Sequence, residues 1–149
     1  MNTLGILGTF DTLDAFTAER RRVKRFLVEV NKGRFHIQGT VNEIGQDLLV
    51  SLWGGTRPHI GAIGMAVPRP SLKSPRRWSA TSSNFTFVGH KEDTIVKKVS
   101  ERLAARLRRN VVVTAGLHWD SMGFREIKAV QDLAGKMSEE ILRKMEKRK

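Results

Sequence analysis

The stretch VVVTAGLHWD, residues 111–120, carries most of the information about the fold. Its first half is a run of β-branched apolar residues, which is typical of a buried strand. The chain then passes through a glycine and presents His118, Trp119 and Asp120 in succession. Because imidazole and carboxylate groups are costly to bury, we expect this strand to end in a semi-exposed polar site.

Five further strand patterns precede this stretch. Apolar residues alternate in FLVEV, and the tripeptide NKG that follows predicts a hairpin turn. Glycine in the strand pattern at residues 60–67 indicates the close approach of a ligand or of another backbone. Residues 68–83, rich in proline, serine and basic side chains, are predicted to form a long loop. The remaining strand patterns are RFHIQG, DLLVSLW at 47–53 and NFTFV at 84–88.

Apolar residues at helical spacing predict helices over residues 92–108 and from Phe124 to about Met145. The first helix connects two strand patterns, so we expect a parallel, right-handed β-α-β unit. The predicted fold is a single α+β domain over residues 23–149. It has a mixed, mostly antiparallel sheet of five or six strands and two C-terminal helices packed on one face. Residues 1–22 show little periodicity and are predicted to form a flexible N-terminal arm.

The composition limits the classes of function. A chain of 149 residues can bury a real core, and the absence of cysteine excludes disulfides, iron–sulfur clusters and thiolate zinc sites. The first ten residues lack the basic region of a secretory signal, and no apolar stretch is long enough to span a membrane. We therefore expect a cytoplasmic protein that does not associate with membranes.

Positive charge is the strongest compositional signal. The chain has 27 Lys and Arg against 15 Asp and Glu, a net charge of +12, which attracts polyanions and small phosphorylated ligands. The predicted helix faces mix both signs of charge, and the sequence shows no helix-turn-helix, zinc-finger or RNP motif. We do not expect nucleic acid as the main partner, although a basic nucleic-acid-binding protein stays an alternative.

Three histidines follow or precede predicted strands. His90 and His118 each come after a strand, and His59 precedes the glycine-rich strand. If the β-α-β unit is parallel, His90 and His118 lie at the carboxyl edge of the sheet, where α/β sheets bind ligands. Each histidine alone has an ordinary structural explanation, but together they favour a site.

Metal binding and nucleophilic catalysis are two chemistries that these residues could support, and both fit less well than ligand binding. His59, His90 and His118 with Asp120 could hold zinc or iron, so a metal-dependent enzyme is an alternative. However, HWD lacks the downstream histidine that would complete a facial triad, and nucleophilic catalysis lacks both a cysteine and a Gly-x-Ser-x-Gly elbow.

A binding site for an anionic, aromatic ligand fits best. The segment WGGTR offers backbone N–H groups and Arg57 to a phosphate. Trp53 or Trp119 could stack on a flat ring. The start of helix 92–108 is a poorer phosphate site, because Glu92 and Asp93 already occupy its positive end.

Three segments resemble a known family. GGTRPHIGAIGMA, FVGHKEDTIVKKVSERLAARLRRNVVVTAGLHWD and the REI of the last helix are similar to the small accessory subunit of gallate decarboxylase and related prenylated-flavin chaperone-like domains. The resemblance covers roughly residues 47–142. It implies a non-enzymatic protein, able to dimerise, that binds prenylated FMN or FMN. It also implies a role as chaperone or accessory small subunit for a UbiD-type decarboxylase of gallate or hydroxyarylic acids.

The predicted cofactor site combines these motif positions with the residues proposed above. We expect Arg57 and Lys91 to supply charge to the phosphate, the histidines to hydrogen-bond the ring or phosphate, and Asp120 to fix a histidine tautomer. No catalytic residue and no metal ligand is predicted. The cofactor-binding residues are Trp53, Gly54, Gly55, Arg57, His59, Gly61, His90, Lys91, Asp93, Gly116, His118, Trp119 and Asp120.

Two features depart from the family pattern. The turn SMGFREI has Gly123 where we expect a threonine cap, so the cap of the last helix is weaker. The loop containing KSPRRW is longer and more basic than we expect for the family.

Overall fold

The computed structural model describes residues 23–148, and six strands and two helices follow one another in this part of the chain. The predicted N-terminal arm, residues 1–22, lies outside the described residues. The strands are β1 Lys24–Lys32, β2 Phe35–Ile44, β3 Asp47–Gly55, β4 Ala62–Pro70, β5 Trp78–Thr86 and β6 Val111–His118. The helices are α1 Asp93–Leu107, between β5 and β6, and α2 Phe124–Glu146, after β6.

The six strands form one sheet in the order β1-β2-β3-β6-β4-β5. Strands β1, β2 and β3 make an antiparallel meander, and β4 and β5 make an antiparallel hairpin. Strand β6 joins the two groups, because it pairs parallel with β3 and antiparallel with β4. The predicted α+β class and the mixed, mostly antiparallel sheet are therefore confirmed.

Strand β6 occupies the middle of the sheet because its sequence is apolar enough to be covered by other elements. Val111, Val113 and Ala115 are each at most 1% exposed. They lie beside Leu48, Val50 and Leu52 of β3, respectively, which are also buried. A central strand gains from both neighbours, and β-branched residues suit such a position.

The two helices pack on one face of this sheet. Helix α1 contacts β4, β5 and β6, helix α2 contacts β1 and β2, and the helices contact each other. Val96, Leu103 and Met137 are fully buried between helices and sheet. As the predicted β-α-β unit requires, α1 lies between β5 and β6, and α2 follows β6 at the C-terminal end of the described residues.

Glycine in β4 allows α1 to lie close to the sheet. A Cβ atom at Gly64 would lie 2.8 Å from the carbonyl oxygen of Val96 and 3.0 Å from its Cβ, closer than packed atoms allow. The glycine-rich strand pattern therefore marks the close approach of another backbone at this position, which is one of the two meanings expected from the sequence.

The predicted loop at residues 68–83 is wrong over most of its length. Strand β4 continues to Pro70 and β5 begins at Trp78, so only residues 71–77 connect them. The predicted strand at 84–88 is the end of β5, which finishes at Thr86. Strand β5 is an edge strand with no fully buried residue, so its sequence lacks the apolar alternation by which strands are predicted.

The β-α-β prediction is correct in direction. Strands β5 and β6 both run antiparallel to β4, so they are parallel to each other with β4 between them. The right-handed crossover stays a prediction. Neither described helix is both long and apolar enough to cross a bilayer.

Two glycine-to-alanine substitutions test the close packing of α1 on β4. We expect Gly64→Ala to lower the free energy of unfolding by about 1–3 kcal/mol, because the new methyl group overlaps the backbone of Val96. The matched control is Gly135→Ala in α2, where no atom lies within 4 Å of the added Cβ. There we expect a gain of about 0.5–1 kcal/mol, because alanine favours the helix. Urea unfolding measures both, and equal effects would contradict the packing described here.

Candidate ligand-binding site

The ends of several strands meet at one edge of the sheet. Strands β3 and β6 are parallel, so Gly55 and His118, which are register partners, finish side by side. Strand β5 runs in the same direction and delivers the loop at residues 87–92 to this edge, while β4 begins there. The topology therefore brings together the three segments that contain His59, His90 and His118.

The three histidines form a cluster at this edge. The ring centroids of His59 and His90 are 4.5 Å apart, and those of His59 and His118 are 6.4 Å apart. The Nδ1 atom of His59 lies 2.8 Å from the carbonyl oxygen of Arg57. Because a carbonyl only accepts, Nδ1 of His59 carries the proton and donates it.

The buried carboxylate of Glu92 lies beside this cluster. Its side chain is 8% exposed. It accepts hydrogen bonds from the backbone N–H of Leu117 at 3.2 Å and of Lys91 at 2.9 Å. Its Oε1 lies 3.2 Å from Nε2 of His59, and its Oε2 lies 3.9 Å from Nδ1 of His90. Glu92 thus connects the loop before α1 to both the start of β4 and the end of β6.

Two glycines make room for this arrangement. A Cβ atom at Gly61 would overlap the carboxylate of Glu92, and a Cβ atom at Gly116 would overlap the carbonyl of His59. Both glycines were predicted as cofactor-binding residues. The structure gives each a packing contact with a residue of the cluster.

His118 and Asp120 form a second polar group nearby. Nε2 of His118 lies 3.1 Å from Oδ1 of Asp120, and the hydroxyl of Thr56 donates to Oδ2 at 3.4 Å. The hydrogen bond from His118, assisted by the positive charge of Arg57, holds the pKa of Asp120 below its usual range. The pairing of His118 with Asp120 has the geometry that the predicted tautomer-fixing role requires.

A cavity of about 190 Å³ opens beside these groups, between the start of α1, the end of β6 and the first turns of α2. Its apolar lining comes from Ile95, Leu117, Met122, Ile127 and Val130. Its polar lining comes from His90, Lys91, Glu92, His118 and Gln131. An apolar cavity with a few convergent polar groups is the usual form of a small-molecule site.

The predicted tryptophans lie away from this cavity. Trp119 belongs to the hydrophobic core, where its ring meets that of Phe35 edge-on at a centroid distance of 5.2 Å. Trp53 is half-buried on β3 and lines a different depression, together with Gly54 and Gly55. Trp119 also lines that depression, so both predicted tryptophans lie beside the segment Gly54–Thr56 and not at the cavity of about 190 Å³.

Of the charged residues predicted for the site apart from Asp120, only Lys91 lines the cavity. Lys91 lines the cavity, and its side chain is exposed. Arg57 is exposed in the loop between β3 and β4, near enough to Asp120 to lower its pKa. Asp93 is exposed in the first turn of α1, where it fits the role of a helix-dipole residue.

Sequence reasoning missed Glu92 and the apolar lining of the cavity. The sequence predicts Glu92 only as an acidic residue at the start of a helix, whereas its side chain turns inward. The signal that could have found it is the pair of glycines in IGAIG, because Gly61 leaves space for a buried group. The lining residues of α2 are visible in the sequence only as part of a helical stripe.

These features define a small α+β domain with a half-apolar cavity at one sheet edge. A comparison with known families matches residues 31–146 to the prenylated flavin chaperone LpdD-like domain. The chain therefore belongs to this family, and membership indicates a chaperone or accessory role.

Individual proteins that match this chain have low sequence identity to it. Protein LpdD of Lactiplantibacillus plantarum is 25% identical over 108 residues, which cover 72% of this chain and 76% of that protein. Among solved structures, a chaperone complex for yeast 20S proteasome assembly matches 78% of this chain and 98% of its own, at 14% identity and a TM-score of 0.41.

The pairing of His118 with Asp120 predicts a specific titration. We expect the Asp120 carboxyl to titrate below the usual range of an aspartate, and His118→Ala to move its pKa upward, because the largest stabilising hydrogen bond is lost. Since the folded-state pKa is depressed, the contribution to stability is present above the ordinary pKa and is lost as the pH falls through the depressed one.

Carbon-13 NMR of the side-chain carboxyls measures this change. Glu126 is an internal control, because its lowered pKa depends on the backbone N–H of Gly123 and on Arg34 rather than on His118. An Asp120 titration that is the same with and without His118 would contradict the pairing.

Proposed function

We propose that this chain binds prenylated FMN, or FMN, in the cavity beside His90 and His118. We further propose that it acts as a non-enzymatic cofactor chaperone or accessory subunit for a UbiD-type decarboxylase. Membership of the prenylated flavin chaperone family supports the class of ligand and partner. The observation that carries the assignment to a site is the cavity of about 190 Å³ with an apolar lining and a polar rim.

The residues of the cavity suit the chemistry of a flavin. Ile95, Leu117 and Val130 would contact the flat, largely apolar ring, and His90 and His118 would hydrogen-bond its polar edge. The cavity is smaller than the ~300–1,000 Å³ of drug-sized sites, so the phosphate would remain outside it. Lys91 at the cavity and Arg57 nearby would supply positive charge to that phosphate.

An apolar rim next to the cavity supports docking of a partner protein. Phe124 at the start of α2 is 84% exposed, and Val88, in the loop before α1, is fully exposed. Ile127 is partly exposed and also lines the cavity. Val88 directly precedes the lining residue Gly89, and Phe124 lies between the lining residues Met122 and Ile127 in the sequence. Exposed apolar side chains beside a ligand site are typical of protein–protein contacts. A cofactor held here could pass to a partner that covers this rim.

Anaerobic calorimetry tests the ligand. We expect reduced prenylated FMN to bind with a stoichiometry of one per chain, and His118→Ala to weaken binding by about 10–100-fold, the effect of losing a hydrogen bond to a charged or strongly polar group. The matched control is His36→Ala, because His36 lies on β2, pairs with Glu29 and does not line the cavity.

Three results of this titration decide the proposal. Binding that is weakened only in His118→Ala supports it, and equal weakening in both variants would remove the cavity from the site. Absence of binding by FMN and by prenylated FMN at high protein concentration would overturn the proposed function.

A charge substitution on the apolar rim tests the partner. We expect Phe124→Asp to abolish co-elution with a UbiD-type decarboxylase while leaving flavin affinity unchanged, because Phe124 is exposed and does not line the cavity. Leu72→Asp is the control, since Leu72 is 91% exposed in the β4–β5 connection, at the opposite end of the sheet. Equal loss of co-elution in both variants would show that the rim is not the docking surface.

A further inference from the structure

We propose that His59, His90 and Glu92 form a binding site for a divalent transition-metal cation. One ligand atom from each side chain lies within 4.8 Å of the other two. The three side chains supply two imidazole nitrogens and one carboxylate oxygen, a donor set that zinc, iron, cobalt and manganese accept. The site depends on the geometry of these three side chains and not on flavin binding.

The hydrogen bonding of His59 is the strongest indication. Its Nδ1 donates to the carbonyl of Arg57 at 2.8 Å, so in a neutral ring Nε2 has a lone pair and no proton. This Nε2 faces Oε1 of Glu92 at 3.2 Å, which also presents only lone pairs. Two acceptors cannot face each other stably without a cation or a further proton between them. Metal-binding histidines characteristically donate their other nitrogen to a backbone carbonyl, as His59 does.

The distances also suit an ion. Ligand atoms about 2.0–2.2 Å from one zinc ion, at angles of about 90–110°, lie about 2.9–3.5 Å from each other. The separation of 3.2 Å between His59 Nε2 and Glu92 Oε1 falls in this range. The separation of 3.9 Å between His90 Nδ1 and Glu92 Oε2 is longer than this range, and the three ligand atoms all lie within 4.8 Å of one another.

Because Glu92 is buried, its carboxylate is stabilised by a nearby cation. Its carboxylate is 8% exposed, and the N–H groups of Lys91 and Leu117 hold it in one orientation. A buried carboxylate requires positive charge as well as hydrogen bonds. None of the lysine or arginine side chains in the part of the chain that the structure describes forms an ion pair with Glu92; the ionisable side chains beside it there are the two histidines.

The position of the ion would relate it to the cavity. His90 and Glu92 line the cavity of about 190 Å³, so an ion bound to both would lie at its wall. Three protein ligands leave at least one coordination position of a tetrahedral ion open. A ligand in the cavity could therefore complete the coordination of the metal.

Metal titration of the full chain, without a polyhistidine tag and after treatment with chelator, tests the site. We expect one equivalent of Zn²⁺ to bind, and Co²⁺ to give the visible absorption of a protein-bound ion. His59→Ala and His90→Ala should each lower the affinity at least ~10–100-fold, the loss typical of removing even an outer-shell partner of a metal ligand.

The control is His36→Ala, which we expect to bind metal as the wild type does. Its Nε2 lies 3.2 Å from Oε2 of Glu29, the same separation as in the proposed site, but both side chains are exposed and there is no third ligand in the group. The two carboxylate oxygens of Glu92 each accept one backbone N–H, so the carboxylate is tested with Glu92→Gln, whose single amide oxygen can keep only one of these two hydrogen bonds. We expect this variant to bind metal more weakly, and circular dichroism checks that it is folded.

Two outcomes would overturn the proposal. One is the absence of stoichiometric Zn²⁺ and Co²⁺ binding in a folded wild-type chain. The other is equal loss of affinity in His36→Ala and His59→Ala. Metal binding is measured without flavin, and flavin binding by the chelator-treated chain is measured separately, so failure of one proposal is distinguishable from failure of the other.

Discussion

The parallel pairing of β3 with β6 is the constraint on which the rest of the structure depends. It is the single parallel pair in the sheet of the described chain, and it places Gly55 beside His118. The N–H of Thr56 then donates to the carbonyl of His118 at 2.8 Å, which ties the β3–β4 loop to the end of β6. A shift of this register by one residue would turn the buried residues of β6 to the other face of the sheet. The geometry of the site is therefore secured by the same apolar contacts that stabilise the core.

The fold could be predicted largely from apolar patterns, and the prediction failed where those patterns are absent. Strand β6 has valines that only a buried strand explains, and both helices have clear apolar stripes. Strand β5 lies at the sheet edge, and its first six residues, WSATSS, lack the apolar alternation by which a strand is predicted, whereas its end at residues 84–86 was predicted as a strand. Pro68 and Pro70 reinforced the impression of a loop, although both lie where β4 pairs only with β5, a position that tolerates proline.

The site was partly predictable, because topology alone brings histidines at strand ends together. The parallel direction of β3, β5 and β6 explains why His59, His90 and His118 converge without being near in sequence. Glu92 escaped prediction because a glutamate at a helix start already has an ordinary explanation in the helix dipole. Trp119 lies apart from the cavity of about 190 Å³ because its ring packs against Phe35 in the core.

The charge of Glu92 sets a condition on any anionic ligand of the cavity. A phosphorylated cofactor that approached a buried, uncompensated carboxylate would be repelled, and the repulsion would be strong because few water molecules screen it. Lys91 and Arg57 are exposed, so they can attract the ligand but cannot neutralise a group beneath them. Compensation must therefore come from within the cluster, as a metal ion between His59, His90 and Glu92 or as a proton held by one of these three side chains. Either state would remove the negative charge from this wall of the cavity, and the metal ion would in addition offer an open coordination position to a ligand.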